Sequence, residues 1–289
     1  MSKIHYTVAI IGGGAAGLTA ALYLGRAKID TIVIEKDFGG GQMLLSPLLE
    51  NVPGYYGNGS GLVAKMLIEI DKYPSVEIRN YTAVTNIHQI DGSYLLNLDD
   101  GLQIHADYVI CASGAAPISL PNSNPNHTHY CVTCDGTLYQ DKLVAVVGGG
   151  NSALQYAIEL SKYAAQVYMC TNMPFLIGEP EMQKKVLDNS KIQVVYNFTA
   201  TSFDGRVLEQ EKGSPLMVDG VFVAMGFKPS TDYCDISKTN GYFITNDKCE
   251  IADHLYAVGD CRKKDFNQIV IAMADGCRAA LSIIKDLEK

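Results

Sequence analysis

The sequence predicts an α/β protein of two Rossmann-like three-layer domains (ββα/β type), the second inserted in the first. Three observations carry this. Residues 4–35 and 143–170 each run from a buried-strand pattern through a glycine-rich turn into a helical pattern and on to another strand. A third segment, 255–284, repeats the strand–turn–helix order and is best explained as a return to the first domain. At 289 residues the chain is also long for one small domain. The expected boundaries are 1–110 and 246–289 for the first domain and 111–245 for the insert.

The elements follow in order. IHYTVAII (4–11) reads as a strand, GGGAAG (12–17) as a turn and LTAALYLGRA as a helix. TIVIE (31–35) is a second strand ending on an acid. Residues 83–111 alternate in short stretches around an Asp-Asp-Gly turn, as a small β-meander does, and lead into a buried strand at Tyr108–Ala112. The unit LVAVVGGGNSALQYAIELSKYAAQVYMC then begins at 143, and LYAVGDCRKKDFNQIVIAMADGCRAALSII closes the chain.

Composition narrows the function classes. Hydrophobic residues make up 47% and charged residues 19%, an ordinary globular mix. No apolar run approaches the roughly 20 residues of a membrane-spanning helix, and the N-terminus enters a strand pattern without a signal-peptide pattern ahead of it. A cytoplasmic protein is the expectation. A net charge of −8 argues against a nucleic-acid partner, which needs a basic face. It argues weakly against a strongly acidic protein partner. Of eight cysteines, six are scattered singly and read as small buried hydrophobes of a reducing compartment. Only Cys131 and Cys134 have chemical spacing.

The first glycine turn has the form Gly12-x-Gly14-x-x-Gly17 between strand and helix. Gly12 permits the tight turn, Gly14 lets the backbone approach a pyrophosphate, and Gly17 lets helix and strand pack closely. The phosphates sit at the helix N-terminus, where free N–H groups and the dipole attract anions. Glu35, ending the next strand, is placed to accept hydrogen bonds from a ribose diol. This turn alone does not choose between FAD and NAD.

In Cys131-Val-Thr-Cys134, the spacing lets the sulfurs close and reopen a small ring. A CxxC is also half of a zinc site, but no second ligand pair of that kind is present in the sequence, so no metal is expected. If the pair caps a helix, the dipole favours a thiolate.

Taken with GGGQ (39–42), ENVPG (50–54), ASGA (112–115), CVTCDG (131–136), GD (259–260) and NQIV (267–270), the sequence resembles the low-molecular-weight thioredoxin reductases over nearly its whole length. Asn267 stands where that family usually has Arg. The resemblance implies a flavoprotein with FAD held by Gly12, Gly14, Ala15, Ala16, Gly17, Glu35, Lys36, Gly40, Gly41, Gln42, Asn51, Val84, Ala112, Ser113, Gly114, Gly259, Asp260, Gln268 and Ile269. It implies that Cys134 takes electrons from the flavin, that Cys131 is the exposed attacker forming a mixed disulfide with thioredoxin, and that Asp135 gives and takes protons. It also implies a homodimer.

One departure redirects the reading. The second turn, Gly148-Gly149-Gly150-Asn151-Ser152-Ala153, matches the family's NADPH loop. An arginine cluster for the 2′-phosphate is expected after the following strand. Here that strand, 166–170, runs into Thr171-Asn172-Met173-Pro174-Phe175-Leu176, with no Arg, Lys or His. No acid ends the strand, as NADH would favour. This pattern resembles the ferredoxin-dependent flavin thioredoxin reductases. A flavin takes electrons singly and passes on two, so it can join an iron–sulfur carrier to thiol chemistry. Arg262-Lys263-Lys264 is either a docking site for acidic ferredoxin or a solvated turn. NAD(P)H bound through other residues, a second flavin in the vacant lobe, and a redox sensor remain the alternatives.

Overall fold

The computed structural model describes residues 4–46 and 48–289, apart from the side chains of Thr133 and Cys134. The chain divides into two compact units, one made of residues up to 116 and from 229 onward, the other of residues 117–228.

The first unit opens with β1 (His5–Ile11), α1 (Ala15–Arg26) and β2 (Thr31–Ile34). α1 starts three residues earlier than the helical pattern suggests, because Ala15, Ala16 and Gly17 already belong to its first turn. Next come α2 (Gly59–Ile70), β3 (Val76–Arg79), β4 (Val84–Ile90), β5 (Ser93–Leu98) and β6 (Gln103–Cys111). β4 and β5 form the expected meander. β6 pairs antiparallel with β5 through its first half and parallel with β1 along its length.

The second unit is built on a parallel sheet. Its elements are β7 (Thr128–His129), α3 (Val132–Asp135), β8 (Leu143–Val147), α4 (Asn151–Leu160), β9 (Gln166–Cys170), α5 (Pro180–Leu187), β10 (Ile192–Val195) and β11 (Gly220–Val223). The strand order is β7-β11-β8-β9-β10, with every pairing parallel. Strands of this kind are buried on both faces and read as continuous apolar runs; Val144–Val147 are all buried. A separate antiparallel sheet, Ala200–Phe203, Val207–Gln210 and Leu216–Met217, packs Phe203 and Leu208 against Val221 and Val223.

The chain then re-enters the first unit through β12 (Glu250–Ala252), β13 (Leu255–Ala257) and α6 (Ile269–Leu287). The full sheet runs β12-β13-β6-β1-β2-β3, with the meander carried by β6. The return crossing falls at 228/229, earlier than 245/246. Cys234 and Phe243 explain the difference, since both are buried in the core beside Ile11, Cys111 and Ala257. Thr231 also ties this stretch together by donating its hydroxyl to the Gly241 carbonyl.

α6 packs along α1. A Cβ on Gly276 would stand 2.1 Å from the Ala16 carbonyl oxygen, so only glycine allows the two helices this close. No helix among the described residues is long and apolar enough to cross a membrane.

Candidate active site

Register gathers the first site. Ile11 pairs with Ile34 and Cys111, and Cys111 pairs with Ala257. The strands therefore end together, and the segments beginning at Gly12, Glu35, Ala112 and Val258 emerge along one carboxyl edge. In open parallel sheets this edge is where ligands bind.

Gly12 sits at φ +105°, and a Cβ there would lie 2.5 Å from the Ala112 carbonyl oxygen. At Gly14, by contrast, a Cβ would meet nothing within 4 Å. The backbone at Gly14 thus faces open space above the N-terminus of α1, which has no side-chain cap. Glu35 is only 7% exposed. Its Oε2 accepts from the Gly13 N–H at 2.6 Å and its Oε1 from the Asp37 N–H at 2.9 Å. Both oxygens are held by the backbone, and each keeps a lone pair for a further donor.

The later segments close on this edge. The Gly40 N–H donates to the Gly13 carbonyl at 2.7 Å, and Gly41 lies beside Gly14. Gln42 Nε2 reaches the Ala115 carbonyl at 3.3 Å and Asp260 Oδ2 at 3.4 Å. Asn51 Nδ2 donates to Gln268 Oε1 at 3.0 Å. Residues far apart in sequence (Gly14 with Gly41, Gln42 with Asp260, Asn51 with Gln268) are thereby brought together. Gly114, at φ +62°, also faces open space. Ile269 starts α6, half-buried. Lys36 is exposed. Val84 is a core residue packed with Ile34 and Leu98. The Ser113 hydroxyl is committed within the unit, donating to the Ser230 carbonyl at 2.6 Å and lying 2.8 Å from the Tyr233 hydroxyl.

The basic turn differs from both readings of its sequence. Arg262 and Lys264 are neither a docking patch nor solvated. Arg262 Nη1 lies 2.7 Å from Asp275 Oδ1, and Lys264 Nζ lies 3.5 Å from Asp275 Oδ2, with side-chain exposures of 15%, 8% and 5% for Arg262, Lys264 and Asp275. Asp275 also accepts the Gly259 N–H at 3.2 Å. Lys263 alone of the three basic residues is exposed. Lys264 Nζ is ion-paired with Asp260 Oδ1 at 3.0 Å, and Asp260 Oδ1 is a buried acceptor with no hydrogen-bond donor among the described residues. Asn80 Oδ1, near Gly39, is another. The sequence signal for Asp275 was an acid on the apolar face of an amphipathic helix; Asn80 offered none.

In the second unit Cys131 is in a disulfide and 7% exposed. The exposed attacker of the resemblance is therefore buried in this arrangement. The Cys134 side chain lies outside the described residues. The helix after Cys131 is a single turn, Val132–Asp135, followed by a tighter turn, Gly136–Tyr139, so a helix-dipole argument for the thiolate has little to rest on. Asp135 Oδ2 lies 2.9 Å from His129 Nδ1. The other six cysteines are free. Burial pushes the Cys261 thiol up to about 11 and the Cys170 thiol up to about 12. Among the described residues no His, Cys, Asp and Glu cluster is fit to hold a metal.

The second glycine turn repeats the first closely. Gly148 has φ +147°, and a Cβ there would stand 2.2 Å from the Ala224 carbonyl oxygen; Gly150, like Gly14, faces open space. The difference lies at the end of the next strand. Where Gly13 faces Glu35, Gly149 faces Thr171, whose Oγ1 would be 2.5 Å from a Cβ on that glycine. Thr171 is fully buried, and its hydroxyl accepts from the Met173 N–H. A cavity of about 590 Å³ opens over this turn, lined by Gly148–Ser152, Asn172, Thr199 and apolar residues such as Ile177 and Phe227, with no charged side chain among them.

This pairing of two glycine-turn units with a CxxC agrees with the comparisons. The family model for pyridine nucleotide-disulphide oxidoreductases matches residues 6–276, and the chain belongs to that family. Within it the chain is thioredoxin reductase-like. It is 33% identical to the thioredoxin reductase of Bacillus subtilis (strain 168), over 96% of this chain and 93% of that one. Its fold superposes on the crystal structure of Lactococcus lactis thioredoxin reductase with a TM-score of 0.89 at 28% identity, covering 97% and 98% of the two chains. T. acidophilum thioredoxin reductase gives the same TM-score at 29% identity, covering 99% and 100%. The protein is accordingly an oxidoreductase acting on a disulfide, and its cofactor is FAD.

Proposed function

We propose that this protein passes electrons from reduced ferredoxin, through FAD, to the Cys131–Cys134 pair and on to a thioredoxin disulfide. The observation that carries the choice of donor is the cavity of the second unit: it keeps the glycine turn of a nicotinamide site but has no charged residue in its lining. A 2′-phosphate would lose its charge-assisted partners there. Thr171 at the strand end also lacks the carboxylate that a ribose diol would use.

FAD, when bound, supplies the capacity to take electrons one at a time and release them in pairs. The first unit is the domain that holds it. Gly12, Gly14 and Gly17, with Ala15 and Ala16 opening α1, bind the pyrophosphate. Glu35, helped by Lys36, orients the adenosine ribose, and Asn80 offers an acceptor nearby. Gly40, Gly41 and Gln42 cover the pyrophosphate. Asp260, whose Oδ1 is ion-paired with Lys264 but receives no hydrogen bond, would accept from a ribityl hydroxyl. Asn51, Gln268 and Ile269 would hold the flavin end of the cofactor. The backbone of Ala112, Ser113 and Gly114 closes the remaining side, and Val84 supports the site from the core.

Cys131 attacks the thioredoxin disulfide, Cys134 resolves the mixed disulfide, and Asp135 holds the moving proton. Because Cys131 is buried, it must be uncovered before it can reach a partner. With Arg262 and Lys264 tied to acids, ferredoxin docks on a surface other than their turn. The family resemblance supports a homodimer acting in the cytoplasm.

The test is to mix the oxidised protein anaerobically with NADPH, NADH and reduced ferredoxin in turn, following flavin absorbance. Bleaching by ferredoxin alone, with thioredoxin reduced in consequence, is the expected result. Rapid bleaching by micromolar NADPH overturns the donor assignment. An FAD-to-protein ratio near two would instead place a second flavin in the cavity.

A further inference from the structure

Asp135 ends a chain of three hydrogen-bonded side chains inside the second unit. Its Oδ2 lies 2.9 Å from His129 Nδ1, and His129 Nε2 lies 2.6 Å from the Tyr139 hydroxyl. His129 is the last residue of β7 and Asp135 the last of α3, so the pair brackets the CxxC in sequence. The imidazole is stacked on Phe222 at 5.0 Å, and Tyr139 meets both rings edge-on. Tyr139 in turn lies against Gly220, where a Cβ would be 2.2 Å from its ring. These contacts leave the imidazole one orientation. The chain is graded in burial, with the His129 side chain 11% exposed and that of Asp135 33%.

The proton positions follow. Burial, with Asp135 and Asp219 adding to it, pushes the Tyr139 hydroxyl above its ordinary value. Tyr139 therefore keeps its proton and can donate it to Nε2. A carboxylate oxygen only accepts, so Nδ1 carries the hydrogen that faces Asp135 and Nε2 is left to accept from Tyr139. Among the described residues, Lys142 also lies against this chain, its Nζ 5.3 Å from the Tyr139 ring centroid.

We propose that His129 is the positioning residue for proton transfer at the cysteine pair: Tyr139 fixes its tautomer, and its Nδ1–H holds the Asp135 carboxylate where it gives and takes the proton of each exchanging thiol. This rests on the reading of Asp135 as the acid–base group. In the exchange, the Cys131 thiol gives its proton to Asp135 and the thiolate attacks the partner disulfide. A Cys131–partner S–S bond forms, the partner's own S–S bond breaks, and the leaving thiolate takes that proton. The Cys134 thiol then gives its proton to Asp135 and attacks Cys131. The internal S–S bond forms, the mixed one breaks, and the second partner thiolate takes the second proton. Two electrons and two protons pass to the partner, and Asp135 ends as it began.

An alkyl thiolate needs a proton as it leaves, whereas an aryl thiolate of low basicity leaves without one. FAD-loaded protein, reduced with dithionite under anaerobic conditions, is mixed with oxidised thioredoxin and, separately, with 5,5′-dithiobis(2-nitrobenzoate), following thiol release and flavin re-oxidation. His129→Phe should slow the thioredoxin reaction on the order of tenfold or more and the aryl reaction less than about twofold. His129→Asn, which keeps an N–H in the place of Nδ1, should recover most of the thioredoxin rate, and His129→Phe should add nothing in an Asp135→Asn background. Equal slowing of both disulfides by His129→Phe, or slowing of neither, overturns the proposal. If Asp135→Asn itself slows neither reaction, the acid–base reading of Asp135 fails first. If Asp135→Asn slows thioredoxin alone and His129→Phe does not, only the role of His129 fails. Should His129→Phe not fold, Tyr139→Phe removes a single oxygen and should give a smaller loss, again with thioredoxin alone; no such loss overturns the proposal.

Discussion

Asp275 holds most of the turn that carries Asp260. One carboxylate in the interior of α6 faces Arg262, Lys264 and the Gly259 N–H at once. Removing it leaves Arg262 without its carboxylate and Lys264 with Asp260 alone, and breaking a buried ion pair costs about 3–5 kcal/mol. Asp275→Ala should therefore lower the unfolding free energy measured by urea titration by an amount of that order, and should release FAD, read as a fall in the 450 nm absorbance retained through gel filtration. Wild-type retention in that variant would mean that the turn is held by other contacts. Beneath the turn, the Cys261 thiol donates to the Cys111 and Val258 carbonyls, and burial pushes it up to about 11. An unfolded thiol ionises near about 8.5. Between these values the unfolded chain gives up a proton that the folded one keeps, so folding stability falls as pH rises through that window and is unaffected below it. The urea midpoint should hold steady from pH 7 to 8 and decline from about 9 to 11. Cys261→Ala should make the accompanying decline in unfolding free energy shallower, by at most about 1.4 kcal/mol per pH unit. An unchanged slope would count against burial of this thiol.

At the scale of elements, the helices α1 and α6 meet where Gly276 lies on Ala16, and they set the cofactor edge because α1 begins at the glycine turn and α6 follows the Gly259 turn. A methyl group at 276 cannot fit 2.1 Å from a backbone oxygen, so the helices must separate. Gly276→Ala should cost about 1–3 kcal/mol of stability and weaken FAD binding, measured by titrating apoprotein with FAD. Unchanged FAD affinity would show that the helix spacing is not transmitted to the edge. The same contact marks the limit of what the sequence discloses. The two glycine-turn units were legible because all their parts are local: strand, turn, helix, and the residue ending the next strand. Gly276 reads as one more glycine in a helix until Ala16 is seen opposite it. Arg262 and Lys264 read as surface charge for the same reason, since their partner Asp275 lies on a different element. His129 gave no sign of Asp135 and Tyr139, because that chain is assembled by β7, α3 and the turn after it. The helix Gly59–Ile70 is legible in the spacing of Leu62, Val63, Met66, Leu67 and Ile70 behind the capping Asn58, whereas the antiparallel sheet of residues 200–217 is made of short, partly exposed strands with little periodic signal. Phe243 and Cys234 moved the unit boundary because long-range burial, and not local pattern, decides where a chain segment belongs.

Across the whole molecule the same device occurs twice with different chemistry. Gly12 and Gly148 make equivalent turns, and Gly14 and Gly150 face equivalent open space. The helices that follow are equivalent too, so both units retain the backbone geometry that takes a pyrophosphate. What separates them is one position, Glu35 against Thr171, and the loop beyond it. In the first unit a buried carboxylate is held by backbone N–H groups and offered to a ribose. In the second a buried hydroxyl is spent on the Met173 N–H, and the loop 171–176 is uncharged. If charge alone distinguishes this cavity from a site for NADPH, then charge should restore the function. Asn172 is exposed and lines the cavity, and Met173 follows it at the loop surface, half-buried. The double variant Asn172→Arg, Met173→Arg introduces two guanidinium groups beside the place of a 2′-phosphate without disturbing Thr171 or the glycine turn. Each charge-assisted bond to a phosphate contributes about 1.5–3 kcal/mol, or roughly tenfold to a hundredfold in affinity. Stopped-flow mixing should then show flavin reduction by NADPH at least about tenfold faster than in the wild type, with NADH unchanged and ferredoxin-driven turnover intact. Equal acceleration by NADH would point to a general electrostatic pull. No acceleration by either nucleotide would mean that shape, and not missing charge, keeps nicotinamide out, and the cavity would then have to be read as fitted to something else.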